Sequence, residues 1–258
     1  MRTVILFFSL TYALSWVCFS IAPLALLGTF APAIVAVALT WIYEGTPGLH
    51  SLLGRMFRWN VDVRWYVFAV GYMASVRLVA ALAYRLLAGE WPPFGVEPWY
   101  VILIAIVFST PIQAGEEIGW RGYALPRLQA SFGLAPASVI LGVIWAVWHL
   151  PLFFLSGNHN YGQSFPMFVL GSVALSIVLA GVYYRTGESL LLVMLMHSAS
   201  NQSVGIVPVT AGPGSPFVLS ASPVLWLSDG LLWMTAIYFL MQMSKARIPG
   251  RVSVERPV

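Results

Sequence analysis

Charge is what this chain lacks most: only 9% of its 258 residues are Asp, Glu, Lys or Arg, while 59% are apolar. Soluble domains carry about 25% charged residues, so an ordinary water-soluble domain is excluded and a multi-span membrane protein is expected. Cysteine is nearly absent too. Cys18 alone is present, which excludes an internal disulfide, and its place in the first apolar run marks it as a packing residue. There is no internal repeat and no low-complexity tract, and no gap between apolar runs is long enough for a soluble domain. The net charge of +4 comes from basic residues spread thinly between apolar runs, so no nucleic-acid-binding face is expected.

What fills the chain is apolar sequence. Eight membrane spans are expected, at about 4–27, 30–43, 65–88, 99–121, 136–155, 165–184, 189–209 and 223–244. The fold class is therefore all-α, a polytopic membrane protein of about eight helices. The first run is too long for the apolar core of a signal peptide, and a retained first span is expected. Gly28, Pro92-Pro93, Pro136, Gly187 and the run 211–216 punctuate the spans. Trp65-Tyr66 and Trp99-Tyr100 read as interface anchors.

The basic residues then set the orientation. With the N-terminus inside, one face collects Arg2, Arg55, Arg58, Arg64, Arg121, Arg127, Arg185, Lys245, Arg247, Arg251 and Arg256, eleven of the 13 Lys and Arg residues. The other face has Arg85 with Glu90 and Glu97, and the loops at 156–164 and 210–222 carry no Lys or Arg. Both termini are expected to be cytoplasmic. Arg77 falls in the middle of the third span, with no partner named by the sequence.

Against this sparse background, Gly-Glu-Glu-Ile-Gly-Trp-Arg-Gly at 115–122 stands out. A charge at mid-bilayer costs about 2.5–3.5 kcal/mol on insertion scales, so three charges in one span require internal pairing or a wet cavity. Glu117 and Arg121 are i,i+4 neighbours with the acid first, the favoured order for an ion pair. Glu116 points about 100° away and is left for another neighbour. Gly115, Gly119 and Gly122 keep this helix thin. In the fifth span Trp145 lies one turn before His149, and Pro151 should kink the helix beside that imidazole. In the seventh, His197 and Asn201 share a face at i,i+4, while Ser198 and Ser200 are expected to face away. His50 and His159 lie in loops and read as solvated. Carboxylates, imidazoles and an amide inside a membrane point to a polar intramembrane cavity and to chemistry.

The ordered set Glu-Glu-x-x-x-Arg at 116–121, aromatic-x-x-x-His at 145–149 and His-x-x-x-Asn at 197–201 resembles the CAAX prenyl protease and bacteriocin-processing family. The longer strings Glu-Glu-Ile-Gly-Trp-Arg-Gly-Tyr-Ala-Leu-Pro-Arg-Leu and Trp-His-Leu-Pro-Leu-Phe-Phe look like its bacterial members. Trp145 stands where that family usually has Phe, an exchange that keeps aromatic packing. The resemblance covers about 100–205 and divides the chain into N-terminal helices (1–98), a catalytic core (99–205), and a last helix with a basic cytoplasmic tail (206–258). It implies an intramembrane endopeptidase with a cavity open toward the cytosol, acting on a peptide or protein substrate, lipidated ones included. Carried over, Glu116 activates water with help from His149, Glu117 and Arg121 are the supporting pair, and His197 and Asn201 stabilise the oxyanion or complete the site.

Two histidines and a glutamate (His149, His197, Glu117) would also suit a catalytic zinc. They come from three helices without a His-Glu-x-x-His anchor, so a metal-free glutamate–histidine dyad is the favoured expectation and no cofactor is required. No Gly-x-Ser-x-Gly elbow is present for serine catalysis. Two other functions fit such residues: a proton-coupled transporter, and a non-proteolytic binding or immunity protein with the same fold.

Overall fold

The apolar runs all fold as helices. The computed structural model describes residues 1–209 and 216–245, and no strand occurs among them. Arg247, Arg251, Arg256 and most of the run 211–216 lie outside the described residues. The helices are α1 (Arg2–Phe19), α2 (Ala25–Gly54), α3 (Val63–Ala88), α4 (Trp99–Phe132), α5 (Leu134–Trp148), α6 (Phe165–Arg185), α7 (Leu190–Gln202) and α8 (Pro223–Lys245).

Eight spans were the expectation, the second short and able to draw on 44–52; among the described residues six helices are long and apolar enough to cross a membrane, namely α1, α2, α3, α4, α6 and α8. The other two are short. With 15 and 13 residues, α5 and α7 reach only about 22 and 20 Å at 1.5 Å per residue, less than the roughly 30 Å hydrocarbon core. The expected first span, 4–27, is also broken. α1 stops at Phe19 and a 3-10 turn covers Ala22–Leu24, where Pro23 has no N–H to continue the ladder. Conversely α2 outruns its expected 30–43, with a break at Gly45, whose φ of 65° and ψ of −162° no residue with a Cβ adopts readily.

The helices pack as α1 on α2, α5 on α6, α3 against both α7 and α8, and α2 against the middle of α4. That last contact depends on Gly119: a Cβ there would lie 2.5–2.7 Å from Cβ, C and O of Pro32. Small residues that let backbones meet are the usual basis of helix association in lipid. Buried Phe7, Trp120, Tyr123 and Trp148 fill the space around this crossing. Outward, Ile5, Trp41, Ile42, Val67, Val107 and Phe108 are exposed, a surface suited to acyl chains rather than water. The chain is an integral membrane protein whose regular structure is all helical among the described residues.

α4 changes pitch along its length. A 3-10 turn at Thr110–Gln113 carries Pro111, Ala114–Glu117 is α-helical, Ile118–Ala124 is π-helical, and α-helix resumes at Leu125–Phe132. Such π segments are frequent at functional sites, and the sequence pattern gave no sign of this one.

The two ends of the bundle are chemically unlike. At one, Arg55 Nε meets Glu188 Oε2 at 3.4 Å, Arg58 pairs with the same carboxylate at 3.6 Å, and Arg127 pairs with Glu44. Ser189 Oγ donates to the Arg58 carbonyl and Ser131 Oγ to Met1 Sδ, so the α1 start, the α2–α3 turn, the α4 end and the α6–α7 turn meet here. At the other end Gly95 N–H donates to Ile206 O, Phe165 N–H to Pro216 O, and Ser164 Oγ to Val218 O. There the loops following α3, α5 and α7 are tied together.

Candidate active site

Glu116 and Glu117 lie midway along α4, and the structure divides them as their helical offset requires. Arg121 Nη1 donates to both oxygens of Glu117, at 2.8 and 3.0 Å, and both side chains are fully buried. His197 on α7 donates from Nδ1 to Glu117 Oε1 at 2.7 Å. Glu117 is thus a carboxylate held between a guanidinium and an imidazole, a position that links α4 to α7. Arg121 belongs to this interior pair and not to the basic face, which removes it from the orientation count.

Glu116 meets a different partner. Trp145 Nε1 donates to Glu116 Oε2 at 2.6 Å. The same indole lies 4.6 Å beneath the Arg121 guanidinium, a cation–π contact, and its edge packs on His149 and His197, with ring centres 5.7 and 5.2 Å away. Packing on His149 is the one role the sequence indicated for Trp145. The hydrogen bond to Glu116 was missed, because reading an aromatic position as interchangeable with Phe discards the indole N–H.

His149 closes α5. The expected kink is a helix end: α5 stops at Trp148 and a 3-10 turn follows at Leu150–Phe153, because Pro151 cannot donate to the carbonyl of Val147. His149 Nδ1 lies 2.9 Å from Trp145 O. A carbonyl only accepts, so Nδ1 carries the proton and Nε2 faces the cavity as the free ring nitrogen. Trp148 and Phe168 pack edge-on against the ring at 4.6 and 5.0 Å and fix its plane.

Glu116, Trp145, His149, His197 and Asn201 all line one cavity of about 540 Å³. Asn201 is exposed there and makes no side-chain hydrogen bond among the described residues. Ser198 turns away as expected, bonding Ile106 O and Ser109 Oγ. Ser200 corrects the reading: it lines the cavity, since three residues along a helix return to nearly the same face. His159 also lines the cavity, near its mouth.

Two further charges reach the same space. Arg77 on α3 and Asp229 on α8 are buried neighbours, and each retains unpartnered polar atoms. Asp229 packs over Gly171, where a Cβ would lie 3.3 Å from its Oδ1. This is the counter-charge the sequence left unnamed for Arg77. A lone acid in the last apolar run was the available signal.

As a metal site, the trio His149, His197 and Glu117 does not converge. Arg121 engages both Glu117 oxygens and His197 shares one, so Glu117 supports His197 and does not complete a ligand set with the two rings. Among the described residues no group of three or more His, Cys, Asp or Glu side chains is placed to hold a metal ion.

The cavity mouth is at the end of the bundle opposite the basic one. The cavity residues that reach solvent are His159 and Gln163 of the α5–α6 loop, and Asn201 and Val204 at the end of α7. The charge pattern led to the expectation of a cytoplasmic basic face, and the family resemblance implied a cavity open to the cytosol; these two expectations refer to opposite ends of the bundle.

Residues 95–203 match the family model described as type II CAAX prenyl endopeptidase Rce1-like. Over 138 residues the chain is 28% identical to a protein of Methanococcus maripaludis named CAAX prenyl protease 2, a match covering 49% of this chain and 48% of that one. The chain thus matches about half the length of this curated relative. Glu116, Glu117, Arg121, His149, His197 and Asn201 all fall inside the matched segment, whereas Arg77 and Asp229 fall outside it. Both comparisons bear out the resemblance carried by the three motifs: the segment that builds the catalytic-type side of the cavity is similar to the Rce1-like CAAX prenyl endopeptidases.

Proposed function

We propose that this protein is an intramembrane endopeptidase that hydrolyses a peptide bond of a membrane-associated substrate with water activated by Glu116 and His149. One observation carries the reading. Glu116 and His149 Nε2 face the same cavity while Glu117, Arg121 and His197 interlock behind them, so one carboxylate is structural and the other is available. Water gives a proton to Glu116 as its oxygen attacks the scissile carbonyl carbon, with the free nitrogen of His149 assisting. The Asn201 amide, with His197 beside it, supplies donors to the developing oxyanion. As the C–N bond breaks, Glu116 returns its proton to the leaving nitrogen, and the second proton of the water stays on the new carboxyl group, so the products are a carboxylic acid and an amine.

In this reading Trp145 orients Glu116, and no metal takes part in the water activation. The orientation we propose has both termini cytoplasmic, and the substrate class extends to lipidated peptides. The test is turnover by protein reconstituted in liposomes, offered a randomised pool of membrane-anchored peptides, with products read by mass spectrometry. Cleavage by the unmodified protein and none by Glu116→Gln is the expected result. Proton-coupled flux without cleavage would establish a transporter instead. Peptide retention with neither would establish a binding protein.

A further inference from the structure

We infer that the cavity takes its substrate from the side of the membrane away from the cytoplasm, so that the peptides it acts on are exported or presented on the outer face. This rests on the endopeptidase reading for the word substrate, but the direction of access rests on charge and geometry alone.

The first observation is the mouth. The cavity residues nearest solvent, His159, Gln163, Asn201 and Val204, belong to the α5–α6 loop and the C-terminal end of α7. Hydrogen bonds from Ser164 and Phe165 to Val218 and Pro216 tie that loop to the segment preceding α8. These elements lie at one end of the bundle. None of the cavity-lining residues comes from the α2–α3 turn, the α4–α5 junction or the α6–α7 turn at the other end.

The second observation is the charge at each end. Arg2, Arg55, Arg58, Arg64, Arg127 and Arg185 sit at the end remote from the mouth, and Arg85 stands alone at the mouth end. Basic residues in short loops are retained on the cytoplasmic side. Glu188 and Glu44 pair with some of these arginines, but acids contribute little to this rule. The rim itself carries no charged side chain: Gln163 and Asn201, with His159 and Val204. It suits the backbone of a neutral peptide and offers no basic site to an acidic one.

The third observation is depth. α5 is too short to span the membrane and ends at His149, where a short 3-10 turn over Leu150–Phe153 begins. A helix end at membrane depth is tolerated where it borders a cavity rather than lipid. His149 and the loop residue His159 line the same cavity, which therefore runs from the imidazole to the mouth end.

The test uses single-cysteine proteins in a Cys18→Ser background, expressed in a bacterial inner membrane. Tyr161→Cys reports the mouth end and His50→Cys the basic end; both positions are exposed. A membrane-impermeant maleimide applied to spheroplasts should label Tyr161→Cys and should label His50→Cys only after lysis, with at least a ten-fold difference. The same peptide, fused to a transmembrane anchor in each of its two orientations, should be cut at least ten-fold faster when presented on the Tyr161 side. Reversed labelling, or equal labelling of both positions in spheroplasts, overturns the inference. Reversed labelling with Glu116-dependent cleavage would overturn the direction of access and leave the endopeptidase reading standing. The expected labelling with no cleavage of any peptide would leave the direction standing and remove that reading.

Discussion

Replacing Arg121 separates the charge of the Glu117 pair from its shape. Both side chains are fully buried, and a single nitrogen, Nη1, makes both contacts to the carboxylate, at 2.8 and 3.0 Å. Removing one partner of a buried pair costs about 3–5 kcal/mol, because the other charge is left uncompensated. Here His197 still donates to Glu117, so Arg121→Ala should fall at the lower end, about 3 kcal/mol. That is roughly a hundred-fold in the ratio of folded to unfolded protein.

Arg121→Lys should be far milder. Nε and Nη2 of Arg121 have no hydrogen-bond partner among the described residues, so the forked geometry that usually makes arginine irreplaceable is unused here. An ammonium near the position of Nη1 keeps the charge and the hydrogen bond. What it loses is the flat contact over Trp145 at 4.6 Å, about 1 kcal/mol. The assay is the fraction of monodisperse protein surviving a temperature series in a fixed detergent, with Glu116→Gln as a comparator that should match the unmodified protein. Equal survival of Arg121→Ala and unmodified protein would refute the buried-pair argument. Arg121→Lys falling as far as Arg121→Ala would refute the claim that one nitrogen carries it.

Three other outcomes follow from the same geometry. Trp145→Phe keeps the ring between His149, His197 and Arg121 but removes the N–H donated to Glu116 at 2.6 Å; a hydrogen bond to a charged group is worth about 1.5–3 kcal/mol, so kcat should fall by about ten-fold or more with KM little changed, and an unaltered kcat would show that the indole only packs. Gly119→Ala places a Cβ within 2.5–2.7 Å of Pro32 and should cost about 1–3 kcal/mol by forcing α2 from α4; thermal survival equal to that of the unmodified protein would contradict the close approach. Untagged protein should keep its peptide cleavage after chelation and should contain no stoichiometric transition metal; activity lost on chelation and restored by zinc would make the two histidines ligands.

Much of the site was legible because helix geometry alone fixes which neighbours face each other. The i,i+4 rule found Glu117 with Arg121 and set Glu116 apart. The same rule, applied at i,i+3, would have placed Ser200 on the cavity side with His197. Partners that come from other helices were not legible, since sequence spacing carries no information about which helices pack. Glu117 with His197, Trp145 with Glu116, and Arg77 near Asp229 are all of this kind. The π-helical stretch at Ile118–Ala124 was also invisible, because its residues are as compatible with an ordinary helix.

Counting spans from hydropathy found the eight helices but not how short two of them are, in the region that matters most. A window of 20 apolar residues treats every run as a membrane crossing. α5 ends at His149 because Pro151 cannot extend the ladder, and the apolar residues after it form only a short 3-10 turn, Leu150–Phe153, before leaving helical structure at Phe154 and Leu155. α7 ends at Gln202 after carrying His197, Ser200 and Asn201 to the cavity. Lipid tolerates a helix end only where water or protein satisfies the freed carbonyls and amides. The two helices that fall short of a full span are therefore the two that present imidazoles to the cavity. Pro151 ends α5, but the cavity is what lets two helix ends and two imidazoles sit at that depth without facing lipid.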